Sequence, residues 1–344
     1  MKLLRLLLIP FAFIYGIILR IRHFLYDKGV FKSFRFDKPV IVIGNLVVGG
    51  AGKSPMTEYL LRLLATDFDL ATLSRGYGRK TSGFLEVEVD SAVADVGDEP
   101  LQFKRKFPNI TVADCEDRVE GLKKIMPNHD VFILDDAFQH RALIAGLTIL
   151  LFDFNSLREE KFLLPVGNYR DLFSRRDYAD IIVVTKSPER IRDSERKQAL
   201  ELLRLENGIP VFFSFIKYAN FLSLLAGQKT VLPKDTKLLV IAGIANPEPF
   251  LSHLETIGEI LKIFIYRDHY QFSAKDIEKI KKAWLTYDEH AVIVTTEKDA
   301  MRLRRSDLIP LLIALPIYYL PIEMVFHKEQ QHSEAFDDLV KKKL

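Results

Sequence analysis

An apolar run, Val40 to Ile43, leads into a glycine-rich turn that closes on Gly52, Lys53 and Ser54, within VIVIGNLVVGGAGKSP at positions 40–55. A strand, a flexible turn and the start of a helix in that order form a cradle for a nucleotide phosphate chain. Gly49, Gly50 and Gly52 let the backbone curl with its N–H groups inward, and the dipole of the following helix favours negative charge at the same spot. Lys53 has the reach for β- and γ-phosphates, and the Ser54 hydroxyl can ligate Mg²⁺. Pro55 suits the first helical turn, where a missing N–H costs little. The usual pattern G-x-x-x-x-G-K-[ST] is broken at its first position, which is Val47 here. The phosphate-contacting residues expected from the motif are therefore Val47, Val48, Gly49, Gly50, Ala51, Gly52, Lys53 and Ser54.

A strand and helix around that turn imply an α/β fold, and 344 residues allow one large or two medium domains. The 48% hydrophobic content supports a sizeable core and excludes a disordered chain. A net charge of +3 is too small to argue for a nucleic-acid partner, although a mild basic excess suits phosphorylated ligands or an anionic membrane surface. The single cysteine, Cys115, excludes a disulfide framework and a cysteine-built zinc site.

Residues 3–19 are apolar apart from Arg5 and Gly16, with Pro10 in the middle, and Arg20, Arg22 and His23 follow directly. The basic stretch after the apolar run is a poor signal-peptidase site. The run is also marginal for crossing a bilayer, which takes about 20 apolar residues. The pattern predicts an N-terminal helix lying at a membrane interface, with Lys2, Arg5, Arg20 and Arg22 toward headgroups. Burial in the core is the competing reading, weakened by the crowding of large aromatics with basic residues.

Beyond the turn, strand-like and helix-like segments alternate, as in a parallel sheet with crossover helices. Strands are expected at 70–74, 84–89, 110–113, 131–134, 147–152 and 181–185, and helices at 56–64, 100–107, 118–126 and 189–205. From about position 210 the pattern restarts, with strands at 211–215, 238–242, 260–266, 291–295 and 317–320. Helices near 248–257, 274–285 and 298–303 are interleaved with them. The expected architecture is a mostly parallel, P-loop NTPase-like sheet flanked by helices, with a second, smaller α/β lobe. Its expected divisions are 1–27, 28–215 and 216–344.

Several loops carry chemistry. Four apolar residues before Asp135 and Asp136 would deliver two carboxylates to the ligand-binding edge of a parallel sheet, where they could hold Mg²⁺ opposite Ser54. Gln139 and His140 follow on the same loop. Ser74, Arg75, Gly76, Tyr77, Gly78 and Arg79 form a loop suited to phosphate or sugar. Asp98 and Glu99 stand at a helix start, where their residue types alone favour dipole-stabilising acids over a general base. In the second lobe, His269 follows an apolar strand and could reach across a cleft, while Thr296 and Asp299 fit a helix cap.

Together these motifs resemble the tetraacyldisaccharide 4'-kinase family, the lipid A 4'-kinases of Gram-negative bacteria. The resemblance rests on Gly44-Asn45-Leu46, the loop 48–55, Ser74–Tyr77, Gly97–Pro100, Asp135–His140, Leu164–Gly167, Asp268–Tyr270 and Thr296–Asp299, in that order. It implies ATP-dependent phosphorylation of the 4'-hydroxyl of a tetraacylated glucosamine disaccharide 1-phosphate at the cytoplasmic face of the inner membrane. ATP and Mg²⁺ are the cofactors it implies, the lipid A disaccharide precursor and the membrane surface the partners, with no obligate protein partner. By the same resemblance Lys53 and Ser54 hold phosphates and Mg²⁺, Asp135 and Asp136 end the metal-binding strand, and Asp98 is the base, paired with His269. Glu99, Ser74, Tyr77, Arg118, Gln139, His140 and Asp171 are further site candidates. The chain departs from the family at Ser54 for threonine, Ala137 for glycine and Asp171 for glutamate.

Two other classes share the loop. A dethiobiotin-synthetase-like ligase would leave the apolar N-terminus without a purpose. A membrane-recruited nucleotide switch would need a guanine-reading acid, and Thr185-Lys186-Ser187-Pro188 places proline there.

Overall fold

The computed structural model describes residues 5–206, 208–288, 290–328 and 335–344, so the expected headgroup contact of Lys2 lies outside the described residues. Val40–Asn45 is buried at every position and forms the middle of a nine-stranded sheet. From one edge to the other the strands are Ile322–Phe326, Val211–Tyr218, Ile181–Thr185, Leu147–Asp153, Val40–Asn45, Val131–Leu134, Leu70–Ser74, Thr111–Asp114 and Leu85–Glu86. The inner seven run parallel, and the two edge strands pair antiparallel. From Val40–Asn45 the chain works outward to 111–114, returns to fill the gap with 131–134, and only then builds the other half. That reversal opens a crevice at the carboxyl ends of the strands around 45, 74 and 134, the usual ligand position in such sheets.

Alternation along the central strand divides the core. Ile41 and Ile43 pack with Met56, Leu60 and Leu61 of helix Lys53–Leu64, while Val40 and Val42 pack on the opposite face with Phe132 and Leu134. The second sheet has six strands, in the order Lys229–Thr230, Phe221–Ser223, Ile317–Leu320, Val292–Thr296, Thr236–Ala242 and Gly258–Ile265. Its two faces carry separate cores, around Ile241, Ile293 and Ile280 on one side and Val240, Val294 and Phe250 on the other.

The strand at 211–215 lies with the larger lobe, as the division at 215 expects: Val211–Phe213 pair in parallel with Ile182–Val184 inside the larger sheet. Two expectations are corrected. The strand at 84–89 shrinks to the edge strand Leu85–Glu86, since only these two residues pair with Thr111–Asp114. The unit 216–344 loses its last segment to the larger sheet: Ile322–Phe326 pairs with Ser214–Tyr218, and helix Phe336–Lys342 packs beneath it. The cause is an aromatic cluster, in which Phe326 stacks on Phe336 at 4.2 Å and both meet Tyr59 and Phe212 edge-on.

Helix Ile9–Asp27 lies on the outside with Pro10 in its first turn. By length and composition it is apolar enough to cross a membrane. Phe11, Phe13, Ile14, Ile18, Ile21 and Phe24 are exposed, whereas Gly16, Leu19 and His23 are buried against the larger lobe.

Candidate active site

The turn 47–52 is held from several sides. Gly49 and Gly52 take φ of +110° and +85°, which side chains disfavour, and Gly52 directly precedes helix Lys53–Leu64. Val48 N–H donates to Asn168 O at 2.8 Å, and the Thr185 hydroxyl donates to Ala51 O at 2.8 Å. Ala51 and Gly52 are buried, whereas Val48, Gly49 and Gly50 are exposed. Lys53 Nζ lies 3.7 Å from Asp136 Oδ2 and 3.5 Å from Asn45 Oδ1.

Asp135 and Asp136 follow the buried strand Val131–Leu134 and have different surroundings. Asp135 is buried, and its Oδ1 has no hydrogen-bond partner among the described residues. Burial, then the Glu99 charge and that of Asp136, push its carboxyl up to about 7 against the pull of Lys53 and Lys298. Asp136 sits at φ +51°, and both of its oxygens are gripped by the Arg170 guanidinium, with Nη1 at 2.9 Å from Oδ2. Burial pushes Asp136 up, but Arg170 and Lys53 outweigh it and hold the carboxyl below its usual range.

Opposite these acids, helix Asp98–Lys106 starts at Gly97, whose φ of +85° turns the chain from the preceding helical turn. Glu99 Oε1 accepts from the Ser54 hydroxyl at 2.8 Å and from Lys298 Nζ at 2.6 Å. Burial raises its carboxyl, yet Lys298 and these bonds bring it down to about 2. Asp98 Oδ2 accepts from His269 Nδ1 at 2.9 Å, Arg302 Nε at 2.7 Å and Arg302 Nη2 at 2.5 Å. These contacts all fall on Oδ2 and none on Oδ1. Burial pushes the Asp98 carboxyl up, but His269 and Arg302 together keep it below the ordinary carboxylate range. His269 is half-exposed at φ +55°, and its bond to Asp98 raises the imidazole above its ordinary value. Arg302 is fully buried and spends Nη1 on Gly243 O and Asp299 Oδ1. Thr296 caps helix Glu297–Leu303 by accepting from Asp299 N–H, which aims Lys298 and Arg302 at the larger lobe.

The other candidates spread around this centre. Gln139 Nε2 donates to Asn45 O at 2.8 Å, beside the phosphate turn. Tyr77 is exposed, with its ring 6.0 Å from that of His269. Ser74 is buried with no partner on its hydroxyl among the described residues, and Arg118 is buried with Nη1 on the carbonyls of Cys115 and Glu116. His140 lies 4.0 Å from Asp117, and burial together with the Arg118 charge lowers its pKa. Asp171 points the other way: its Oδ1 bonds His23 Nε2 of the N-terminal helix at 2.7 Å, with no described contact to the phosphate turn. Val47 pairs with Tyr169 in an isolated bridge.

Residues not singled out from the sequence complete the arrangement: Asn45, Arg170, Lys298, Arg302 and Asp114. Asn45 and Lys298 lay inside quoted motifs, but their chemistry had no visible partner. Arg302 was one arginine among many in a helical pattern. Asp114, the register partner of Ser74, is fully buried with neither oxygen hydrogen-bonded among the described residues, and burial raises its carboxyl to about 7.

The comparisons agree with one another. Residues 4–341 match the family model described as tetraacyldisaccharide-1-P 4'-kinase. A tetraacyldisaccharide 4'-kinase from Flavobacterium johnsoniae is 40% identical over 97% of this chain and 96% of its own. Another from Flavobacterium psychrophilum is 41% identical over 95% and 94%. Among solved structures, the "apo" form of LpxK from Aquifex aeolicus in complex with ATP is 30% identical, covers 99% of both chains and superposes with a TM-score of 0.78.

Proposed function

Because the chain belongs to the tetraacyldisaccharide-1-P 4'-kinase family, we infer from its site geometry how it performs that family's reaction. It is an ATP-dependent kinase of lipid A biosynthesis that phosphorylates the 4'-hydroxyl of a tetraacylated glucosamine disaccharide 1-phosphate.

The 4'-oxygen attacks the γ-phosphorus, the bond from γ-phosphorus to the β–γ bridging oxygen breaks, and ADP leaves. The hydroxyl proton needs an acceptor, and Asp98 is the residue proposed to take it. Its oxygens are unequal: Oδ2 holds His269 and Arg302, which leaves Oδ1 to receive the proton. A carboxylate kept ionised by its neighbours is a weak base but is always in the accepting form. In a loose phosphoryl transfer the hydroxyl loses its proton late, when it has become acidic enough for such an acceptor. His269 is assigned to orient Asp98 and adjust its basicity. Lys53, with the N–H groups of residues 47–54, is assigned to the ATP phosphates, and Arg170 to holding Asp136 and Asn45 around Lys53.

Mg²⁺ fits this donor set. Asp135, whose Oδ1 has no partner among the described residues, would ligate the ion, and the Ser54 hydroxyl and Asp136 beside Lys53 would be further oxygen donors. No group of three histidine, cysteine or acidic side chains that could hold a metal occurs among the described residues. That suits an ion which keeps waters and substrate phosphates as ligands. When bound, it would neutralise charge developing on the phosphates.

The same reading assigns the exposed apolar face of the N-terminal helix to the cytoplasmic side of the inner membrane, where the lipid acceptor is. It divides the chain into that helix at 1–27, a nucleotide lobe beginning at 28 that regains the final strand and helix, and a smaller lobe between. The observation that carries it is the Asp98–His269 contact, which joins the lobes next to the phosphate turn. Purified protein given Mg·ATP and the disaccharide 1-phosphate tests it, with product position read by mass spectrometry. Phosphate at a position other than 4', or none while both ligands bind, overturns the reading.

A further inference from the structure

The N-terminal helix does more than present an apolar surface. Its less exposed positions, which include Ala12, Tyr15, Leu19, Arg22, His23 and Tyr26, recur every three or four residues and form one stripe facing the larger lobe. A Cβ on Gly16 would sit 3.1 Å from Leu163 Cδ1, so the helix rides close on the loop that leads to Arg170. The polar contacts of this stripe fall on loops at the ATP edge. The Tyr15 hydroxyl donates to Arg170 O at 2.8 Å, and Arg22 Nη2 donates to Gln139 O at 2.8 Å.

His23 meets Asp171 Oδ1 at 2.7 Å, with both side chains buried. Arg141 Nη1 donates to His23 O at 2.9 Å and lies 3.4 Å from His23 Nδ1. A guanidinium can only donate, so Nδ1 is the accepting nitrogen and Nε2–H donates to Asp171. The next links enter the nucleotide site. Arg170, adjacent to Asp171, grips both oxygens of Asp136 and bonds Asn45 Oδ1 at 2.5 Å, and Gln139 Nε2 bonds Asn45 O. Asp136 and Asn45 both lie beside Lys53 Nζ. A surface anchor has no need of a buried histidine–carboxylate pair. A buried pair of this kind is weak evidence of a purely stabilising role.

We propose that His23 and Tyr15 are positioning residues for the ATP site: from the inner face of the membrane-facing helix they hold the Arg170–Asp171 segment, and through Arg170 they set Asp136 and Asn45 around Lys53. The proposal rests on the assignment of Arg170 to the phosphate site. The outer face of the helix handles the lipid surface, and the inner face aligns the nucleotide.

Full-length protein in detergent micelles tests this by titration with Mg²⁺ and a non-hydrolysable ATP analogue, alongside separate KM values for ATP and lipid. His23→Ala is expected to weaken analogue binding and raise the ATP KM about tenfold, as loss of an outer-shell partner typically does, with the lipid KM unchanged. His23→Gln, whose amide can donate from the place of Nε2, should recover most of the loss. Tyr15→Phe should show a smaller shift of the same sign. Phe13→Ser, on the outer face, should change the lipid KM alone. Unchanged analogue affinity in a folded His23→Ala protein, or a defect confined to the lipid KM, overturns the proposal. If His23→Ala does not fold, Tyr15→Phe decides, and unchanged ATP parameters in it overturn the proposal. Arg170→Lys separates the two levels. Normal analogue binding there removes the assignment of Arg170 itself, whereas a defect there with normal His23→Ala and Tyr15→Phe removes only the link to the helix.

Discussion

Asp98 and His269 stand 171 positions apart in the chain and meet at 2.9 Å, one from the first turn of a helix on the larger sheet and the other from a loop of the smaller. The contact is not isolated, because the fully buried Arg302 holds the same Asp98 oxygen, with its Nη2 3.3 Å from His269 Nδ1.

Replacing Asp98 by asparagine keeps its shape and its place beside Arg302 but removes the proposed proton acceptor. Turnover should fall by about 10²–10⁴, the usual effect of a positioned base. Affinity for a non-hydrolysable ATP analogue should stay near wild type, whereas Lys53→Ala should weaken it. Retention of most activity by Asp98→Asn would return that residue to the role of a helix-start acid.

Through its bond to Asp98, His269 should influence the pH range of the reaction. Burial favours the neutral Asp98 carboxyl, but the bonds from His269 and Arg302 reverse this and lower its pKa. The acidic limb of kcat/KM should therefore lie below the ordinary carboxylate range. His269→Gln removes one cationic partner and should move that limb upward in a rate–pH profile. An unmoved limb would show that Asp98 is not the titrating group.

Docking of the lobes should depend on pH through the same pair. Asp98, with its pKa lowered, contributes above its unfolded value, and that contribution is lost as pH falls through the folded one. His269, with its pKa raised, contributes fully below its unfolded value and loses that contribution as pH rises through the folded one. Thermal stability should be greatest between the ordinary carboxylate and imidazole values, and Asp98→Asn should flatten that maximum in melting curves.

Arg302→Met would leave Asp299 buried without its cation and Asp98 with His269 as its remaining partner. Breaking a buried pair this way typically costs about 3–5 kcal/mol, so calorimetry should show a large drop in Tm. A fall of only a degree or two would mean that water reaches this contact in place of the arginine.

The outer face of the N-terminal helix offers a simpler test. Phe13 and Ile18 are 65% and 55% exposed, and burying side chains of this size in lipid is worth about 1.5–3 kcal/mol each. The double change to serine should sharply reduce co-sedimentation with anionic vesicles and leave the melting temperature unaltered. Equal binding by both proteins would place membrane contact elsewhere.

Wherever local order carries information, the sequence was legible. The strand at 131–134 and the helix cap at Thr296 follow from apolar runs and from capping side chains whose partners lie within a few residues. The strand 211–218 and the final segment 322–344 were harder to place. A buried apolar strand reads the same whichever sheet takes it, and the aromatic cluster of Tyr59, Phe212, Phe326 and Phe336 draws on three distant parts of the chain.

By itself the sequence determined the phosphate turn, the two acids that end the strand at 134, and the apolar helix that precedes them, because each is a local pattern with a local physical cause. Only the tertiary structure decided what surrounds them. It brought Arg302 and His269 to Asp98, Lys298 to Glu99, Arg170 to Asp136 and His23 to Asp171. Charge pairs of this kind depend on distance in space, and burial alters which form of each group is stable. Neither quantity is encoded in spacing along the chain.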